Sequence, residues 1–152
     1  MVAPLNGNLT VEPRDVGTGH QIVFKFNNAV TAVGGATTVD SAMAMNIGSP
    51  MVSFSGNEVT VTLTGAVLVN KRLTVSLNGV NGAGTASVNV GFLMGDMDNS
   101  RSVSAGDILL VKGKSGQTAN ISNFIFDVDA TGSISAGDIL LVKGRSGSGL
   151  AP

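Results

Sequence analysis

Residues 58–65 read EVTVTLTG, with Val59, Val61 and Leu63 on one side and Thr60, Thr62 and Thr64 on the other. Apolar and polar positions that alternate with a period of two predict a half-buried strand. Runs of the same kind at 9–11, 21–26, 29–33, 51–54, 73–77 and 86–92 predict six more. Turn-forming residues separate them: Asn27-Asn28, Gly34-Gly35, Gly48-Ser49-Pro50, Ser55-Gly56-Asn57, Asn78-Gly79 and Asn81-Gly82. No long window before Phe92 carries a helical period, which disfavours an α/β fold.

About seven short strands at intervals of roughly 8 to 12 residues predict an antiparallel, immunoglobulin-like β-sandwich over residues 1–92. Val88, Val90 and Phe92 close it as a last strand. A second module is expected over 93–152. No Pro/Ser/Thr-rich linker intervenes, so Leu93 and Met94 are expected where the two modules touch in a fixed orientation. The expected fold class is mainly β with a small α part.

Beyond Phe92 the pattern changes. SAGDILLVKG occurs at 104–113 and again at 135–144, an offset of 31. The apolar run Ile108, Leu109, Leu110, Val111 returns at 139–142. A short helix buries only part of such a run. The remainder either packs on the neighbouring sandwich or forms an exposed apolar face of the kind that marks a partner site. With nearly identical repeats, each helix would present the same face, and a two-fold arrangement would accept one partner in either of two orientations. Between the repeats, Phe124, Ile125 and Phe126 are expected to pack on both helices.

The chain has 10 acidic residues, and six of them stand at matching offsets ahead of and inside the repeats: Asp96, Asp98, Asp107 and Asp127, Asp129, Asp138. Counting from Asp96, loop positions one, three, five, seven, nine and twelve are Asp96, Asp98, Ser100, Ser102, Ser104 and Asp107. The second set is Asp127, Asp129, Thr131, Ser133, Ser135 and Asp138. Alternate residues of a tight loop can turn oxygens to one centre, and a carboxylate one helical turn later closes the shell. That pattern suits two Ca²⁺ ions, which take six to eight oxygens; Mg²⁺ prefers fewer protein oxygens in rigid octahedral geometry. Val103 and Ile134, at the eighth positions, are expected to face the core and bridge the loops as short strands. Plain helix-capping turns with Ser104 and Ser135 as N-caps use the same residue types. A structural metal fits better than a catalytic one, because two short helices bury little core without it.

GDMDNSRSVSAGDILLVKGKSGQ and FDVDATGSISAGDILLVKGRSG resemble the two calcium loop-helix segments of a dockerin, the docking module of extracellular enzyme complexes. The resemblance covers about 95–147, and is also similar to dockerin-like C-termini that follow β-rich domains in large bacterial secreted proteins. It implies calcium-templated folding and a cohesin-like protein partner. It implies partner contacts at Ala105, Gly106, Lys112 and Gly113, and at Ala136, Gly137, Lys143 and Gly144, to which the apolar helix face adds Leu109 and Leu140. The family prefers Asp or Asn where this chain has Ser100 and Thr131. The sixth position needs φ > 0, which suits Gly132 but not Arg101. The second site is therefore expected to be the tighter.

Net charge of −1 without a basic stripe disfavours nucleic-acid binding. With no cysteine, disulfides and thiolate metal sites are excluded. No run of about 18 apolar residues is present to span a membrane. Met1-Val2-Ala3-Pro4 lacks the basic and apolar regions of a signal peptide, so an extracellular or cell-surface protein is expected to appear here in mature or fragment form. His20 is the single histidine, the remaining carboxylates are scattered, and no phosphate loop occurs; the chain reads as non-catalytic. Trp and Tyr are absent and the six Phe fall at core-like positions, which disfavours a sugar platform. Low charge and exposed strand edges leave a second reading open, a self-associating surface or filament protein with calcium-stabilised subunits. A third is an accessory domain of an enzyme lying upstream.

Overall fold

The computed structural model describes residues 9–15, 17, 19–40, 49–65 and 70–150. The readings made on Met1-Val2-Ala3-Pro4 and on Gly48 lie outside these residues. Seven strands and two α-helices are present among them: β1 (Thr10–Glu12), β2 (Gln21–Lys25), β3 (Gly35–Asp40), β4 (Met51–Ser55), β5 (Glu58–Thr62), β6 (Lys71–Val80), β7 (Gly84–Phe92), α1 (Ala105–Lys112) and α2 (Ala136–Gly144). The protein is thus mostly β with two short helices. The strands form a four-stranded sheet in the order β1-β7-β6-β3 and a three-stranded sheet in the order β2-β5-β4.

The expected alternation is realised in β5. Val59, Val61 and Leu63 are buried, and antiparallel pairing sets Val59 opposite Phe24 and Val61 opposite Ile22, both buried too. One face of this sheet is therefore apolar and inward. β6 does the same with Leu73, Val75 and Leu77, and β7 with Val88 and Val90. Gly56 turns β4 into β5 at φ 59, a value glycine adopts without strain.

Residues 29–33 are not a strand. β2 lies in one sheet and β3 in the other, and this segment is the crossover between them. Its polar backbone is satisfied by turns: Val30 N–H donates to the Gly56 carbonyl at 2.8 Å, and the Ala32 carbonyl accepts from Asn81 N–H at 2.9 Å. The Asn81 side chain completes the set, accepting from Thr31 N–H at 2.7 Å and donating to the Ala29 carbonyl at 2.9 Å. Asn78-Gly79 is not a turn either; β6 runs through it to Val80. Gly79 has φ 66 inside the strand, and a Cβ there would stand 3.0 Å from the Gly34 backbone. The two glycines serve a close backbone crossing.

The chain divides into two compact units, one of Met1–Thr10, Gly17–Leu68 and Arg72–Val90, the other of Val11–Val16, Val69–Lys71 and Gly91–Pro152. The second unit has its own core of Val11, Leu93, Met94, Met97, Val103, Val111, Val128, Ile134 and Val142. Met97/Val128, Val103/Ile134 and Val111/Val142 are equivalent positions of the two repeats, so most of this core is a residue and its copy. Burial of each such side chain contributes roughly 1.5–3 kcal/mol.

Candidate metal centre

Each helix begins at the loop that precedes it. Ser104 and Ser135 are the N-caps: Ser104 Oγ accepts from Gly106 N–H at 3.1 Å and Ser135 Oγ from Gly137 N–H at 3.0 Å. Asp107 and Asp138 reach back to the cap N–H groups at 2.8 and 2.7 Å, which makes both ends reciprocal capping boxes. Each carboxylate has a second oxygen, and it faces the loop. Asp107 Oδ1 accepts from Met97 N–H at 2.7 Å, and Asp138 Oδ1 from Val128 N–H at 2.7 Å. Both side chains are 0% exposed.

The first loop carboxylate folds the rest. Asp96 accepts from Ser100 N–H at 2.9 Å and Arg101 N–H at 2.8 Å; Asp127 accepts from Thr131 N–H at 3.0 Å and Gly132 N–H at 2.8 Å. Two residues of each loop adopt left-handed backbone, Asn99 (φ 61) and Arg101 (φ 71) in one, Ala130 (φ 55) and Gly132 (φ 91) in the other. The requirement at the sixth position was legible in the sequence. That at the fourth was not, although Asn tolerates this region better than most residues.

Loop geometry brings carboxylate oxygens of Asp96, Asp98 and Asp107 within 4.8 Å of one another, and does the same for Asp127, Asp129 and Asp138. Oxygens at about 2.3–2.6 Å from one Ca²⁺ stand at most about 5 Å apart, so both trios fit that ion in size and in donor type. The salt bridges Glu12–Arg14 and Lys25–Glu58 include no loop carboxylate, although the Arg14 guanidinium also feels the charge of Asp127. Three like charges at this separation favour a cation. Burial holds the Asp96 carboxyl above its usual range, against the N–H groups of Arg101 and Ser100. Asp98 is held low by the Ser100 hydroxyl and N–H. Partial burial works against ionisation of Asp129, but the hydroxyl and N–H of Thr131 hold it low.

The remaining predicted oxygens sit at the rim. The Ser100 hydroxyl donates to the Ser102 carbonyl at 3.0 Å, and the Thr131 hydroxyl to Asp129 at 2.8 Å. The hydroxyls of Ser104 and Ser135 are engaged with Asp107 at 3.1 Å and Asp138 at 3.2 Å.

Val103 and Ile134 face the core, but they do not bridge the loops to each other. Val103 N–H donates to the Ser148 carbonyl at 2.8 Å and its carbonyl accepts from Gly147 at 2.8 Å. Ile134 pairs in the same way with Gln117 at 2.9 Å and Gly116 at 2.7 Å. Each loop is closed by the segment that follows the other helix. Gly116 and Gly147, both at φ 88, turn the chain back to make this pairing.

The α1 and α2 helices lie against each other. Val111 and Val142 point into the core, while Leu109 is 66% and Leu140 65% exposed, so these two leucines are equally accessible. Ala105, Gly106, Lys112, Gly113, Ala136, Lys143 and Gly144 are exposed beside them, and Gly137 is half-buried. Phe126 packs against the core, whereas Phe124 is exposed beneath the Arg14 guanidinium, 4.9 Å from its ring centre. Phe54 is exposed too, so not all six Phe are core residues.

Residues 94–145 match the family model of the dockerin type I domain. No curated protein and no solved structure matches the chain.

Proposed function

We propose that this chain, which carries a dockerin type I domain towards its C-terminal end, is a non-catalytic, calcium-dependent docking segment of a secreted bacterial protein. The observation that carries the reading is the pair of carboxylate trios at one repeat offset, each drawn within 4.8 Å. Asp96, Asp98 and Asp107 would hold one Ca²⁺, with Ser100 and Ser102 at the rim. Asp127, Asp129 and Asp138 would hold the other, with Thr131 and Ser133. Ser104 and Ser135 contribute by fixing the twelfth-position carboxylates, directly or through a water. When bound, the ion neutralises each trio and locks the helix start to the loop. The locked helices present Leu109 and Leu140 with Ala105, Gly106, Lys112 and Gly113 and their copies Ala136, Gly137, Lys143 and Gly144. A cohesin-like domain is the partner this face fits. The two β-sheets support an immunoglobulin-like sandwich ahead of the docking module, whose proposed extent is 93–152.

The test is a calorimetric calcium titration of the metal-free chain with circular dichroism in parallel. Two binding events with a gain of helix are expected. Replacing Asp127 and Asp138 by Ala should leave one event and unfold the second repeat. No binding with the helices already formed would reduce the loops to capping turns.

A specific feature favours self-association as the second reading. β4 is an edge strand, and its Met51 and Phe54 are exposed. Light scattering that rises with calcium in the absence of any partner would support it.

A further inference from the structure

We infer that residues 11–15 are a working part of the calcium module: a strap that ties the two loops together, so that strap docking and calcium occupancy are linked. The inference rests on the calcium reading above.

The strap grips both loops through its own backbone groups. Val11 N–H donates to Asn99 Oδ1 at 2.8 Å, in the left-handed turn of the first loop. The carbonyls of Glu12 and Pro13 accept from Leu93 at 3.2 Å and Gly95 at 2.9 Å, immediately ahead of Asp96. At the other end, Asp15 N–H donates to the Val128 carbonyl at 2.8 Å, between Asp127 and Asp129. Val128 N–H in turn donates to Asp138. One residue therefore stands between the strap and a carboxylate of the second trio.

The strap is built to be rigid. The Val11 side chain is part of the module core. Glu12 is buried and takes the Arg14 guanidinium at 2.7 and 3.0 Å, a charge-assisted two-point contact. The same guanidinium covers the Phe124 ring, at the head of the turn (Phe124–Phe126) that runs into Asp127.

The device is one-sided. At the repeat offset, Asn99 corresponds to Ala130, which has no side-chain acceptor, so a second strap could not be held on the equivalent surface. Leu109 and Leu140 nevertheless remain equally open, at 66% and 65%. The strap can set the calcium affinity of both loops without covering either docking face. By linkage, what strengthens calcium binding strengthens strap docking by the same factor.

Two single variants of the full chain test this, each followed by nuclear magnetic resonance during a calcium titration. The amides of Arg101 and Gly132 report the first and second loops. Asp15→Pro removes the donor to Val128, with Asp15→Ala as the control that keeps it. Asn99→Gly removes the acceptor for Val11 while tolerating the left-handed backbone. Each lost bond is expected to weaken calcium at its own loop about fivefold, with Asp15→Ala unchanged. Calcium should also slow hydrogen exchange at the Val11 and Asp15 amides at least tenfold, while Phe24 and Val59 are unaffected. If the unaltered chain binds calcium but both variants bind it equally well and strap exchange ignores it, the strap is mere packing and the inference is overturned. If the unaltered chain binds no calcium, the calcium reading falls and the linkage with it. Circular dichroism identifies a variant that fails to fold; the exchange measurement on the unaltered chain then decides alone.

Discussion

Arg101 and Gly132 occupy the same place in the two loops, with φ 71 and φ 91, and each donates its N–H to the first carboxylate of its loop at 2.8 Å. The backbone demand is identical and only one residue meets it without strain. Arg101→Gly should stabilise the chain by about 1 kcal/mol and strengthen calcium at the first loop, since it also removes a positive charge beside the site. Thermal unfolding and a calcium titration check both effects. The converse change, Gly132→Ala, should destabilise by about as much through strain alone, because a Cβ there meets nothing within 4 Å. A shift in the same direction at both positions would deny the asymmetry.

Ending the chain at Ser146 should weaken the first loop and spare the second. It removes the bonds of Val103 to Ser148 and Gly147 and that of Leu150 to Arg101. At roughly 1 kcal/mol for each backbone bond the loss is about 3 kcal/mol. The expected titration retains one strong calcium event, assigned to the second loop through the Gly132 amide.

Leu109→Glu and Leu140→Glu, singly or together, should change stability by no more than about 0.5 kcal/mol, because both side chains are largely exposed. Surface plasmon resonance against cohesin domains should show each single variant still captured through the other face and the double variant lost. Loss of capture by either single change would argue for one fixed orientation.

Acid should unfold the calcium-free chain at a higher pH than the calcium-loaded one. Asp98 and Asp129 have lowered folded values, so their contribution is present above the ordinary carboxylate value near about 3.9 and lost as pH falls through the lowered ones. Asp96 is raised and has the opposite sign: its ionisation on the way up subtracts stability until a cation compensates. Acid titrations by circular dichroism, with and without excess calcium, should differ in midpoint in that direction. Coincident curves would count against a metal at these carboxylates.

The alternation of Val59, Val61 and Leu63 was readable because one face of β5 is buried and the other is not. The loop residues were readable because cation geometry ties oxygen donors to fixed offsets. Residues 29–33 misled because their partners, Gly56 and Asn81, are remote turns, and no local period records a change of sheet. Gly79 reads as a turn residue, yet it serves a crossing with Gly34 that only the folded pairing creates. The strap left no signal either: Val11 and Asp15 act through N–H groups that every non-proline residue has. Phe54 and Phe124 show the one-way nature of hydropathy, since an aromatic residue on an edge strand or beneath an arginine is apolar in sequence and exposed in the fold.

The exchanged pairing of loops and post-helix segments also sets an order of assembly. Ile134 closes on Gln117, which has been synthesised before it, so the second loop can form as soon as its own residues are available. Val103 must wait for Ser148, beyond the whole second repeat. The longer closure makes the first loop the late step. During synthesis the module would therefore stand half-built, its second loop closed and its first loop open, until the segment after α2 arrives.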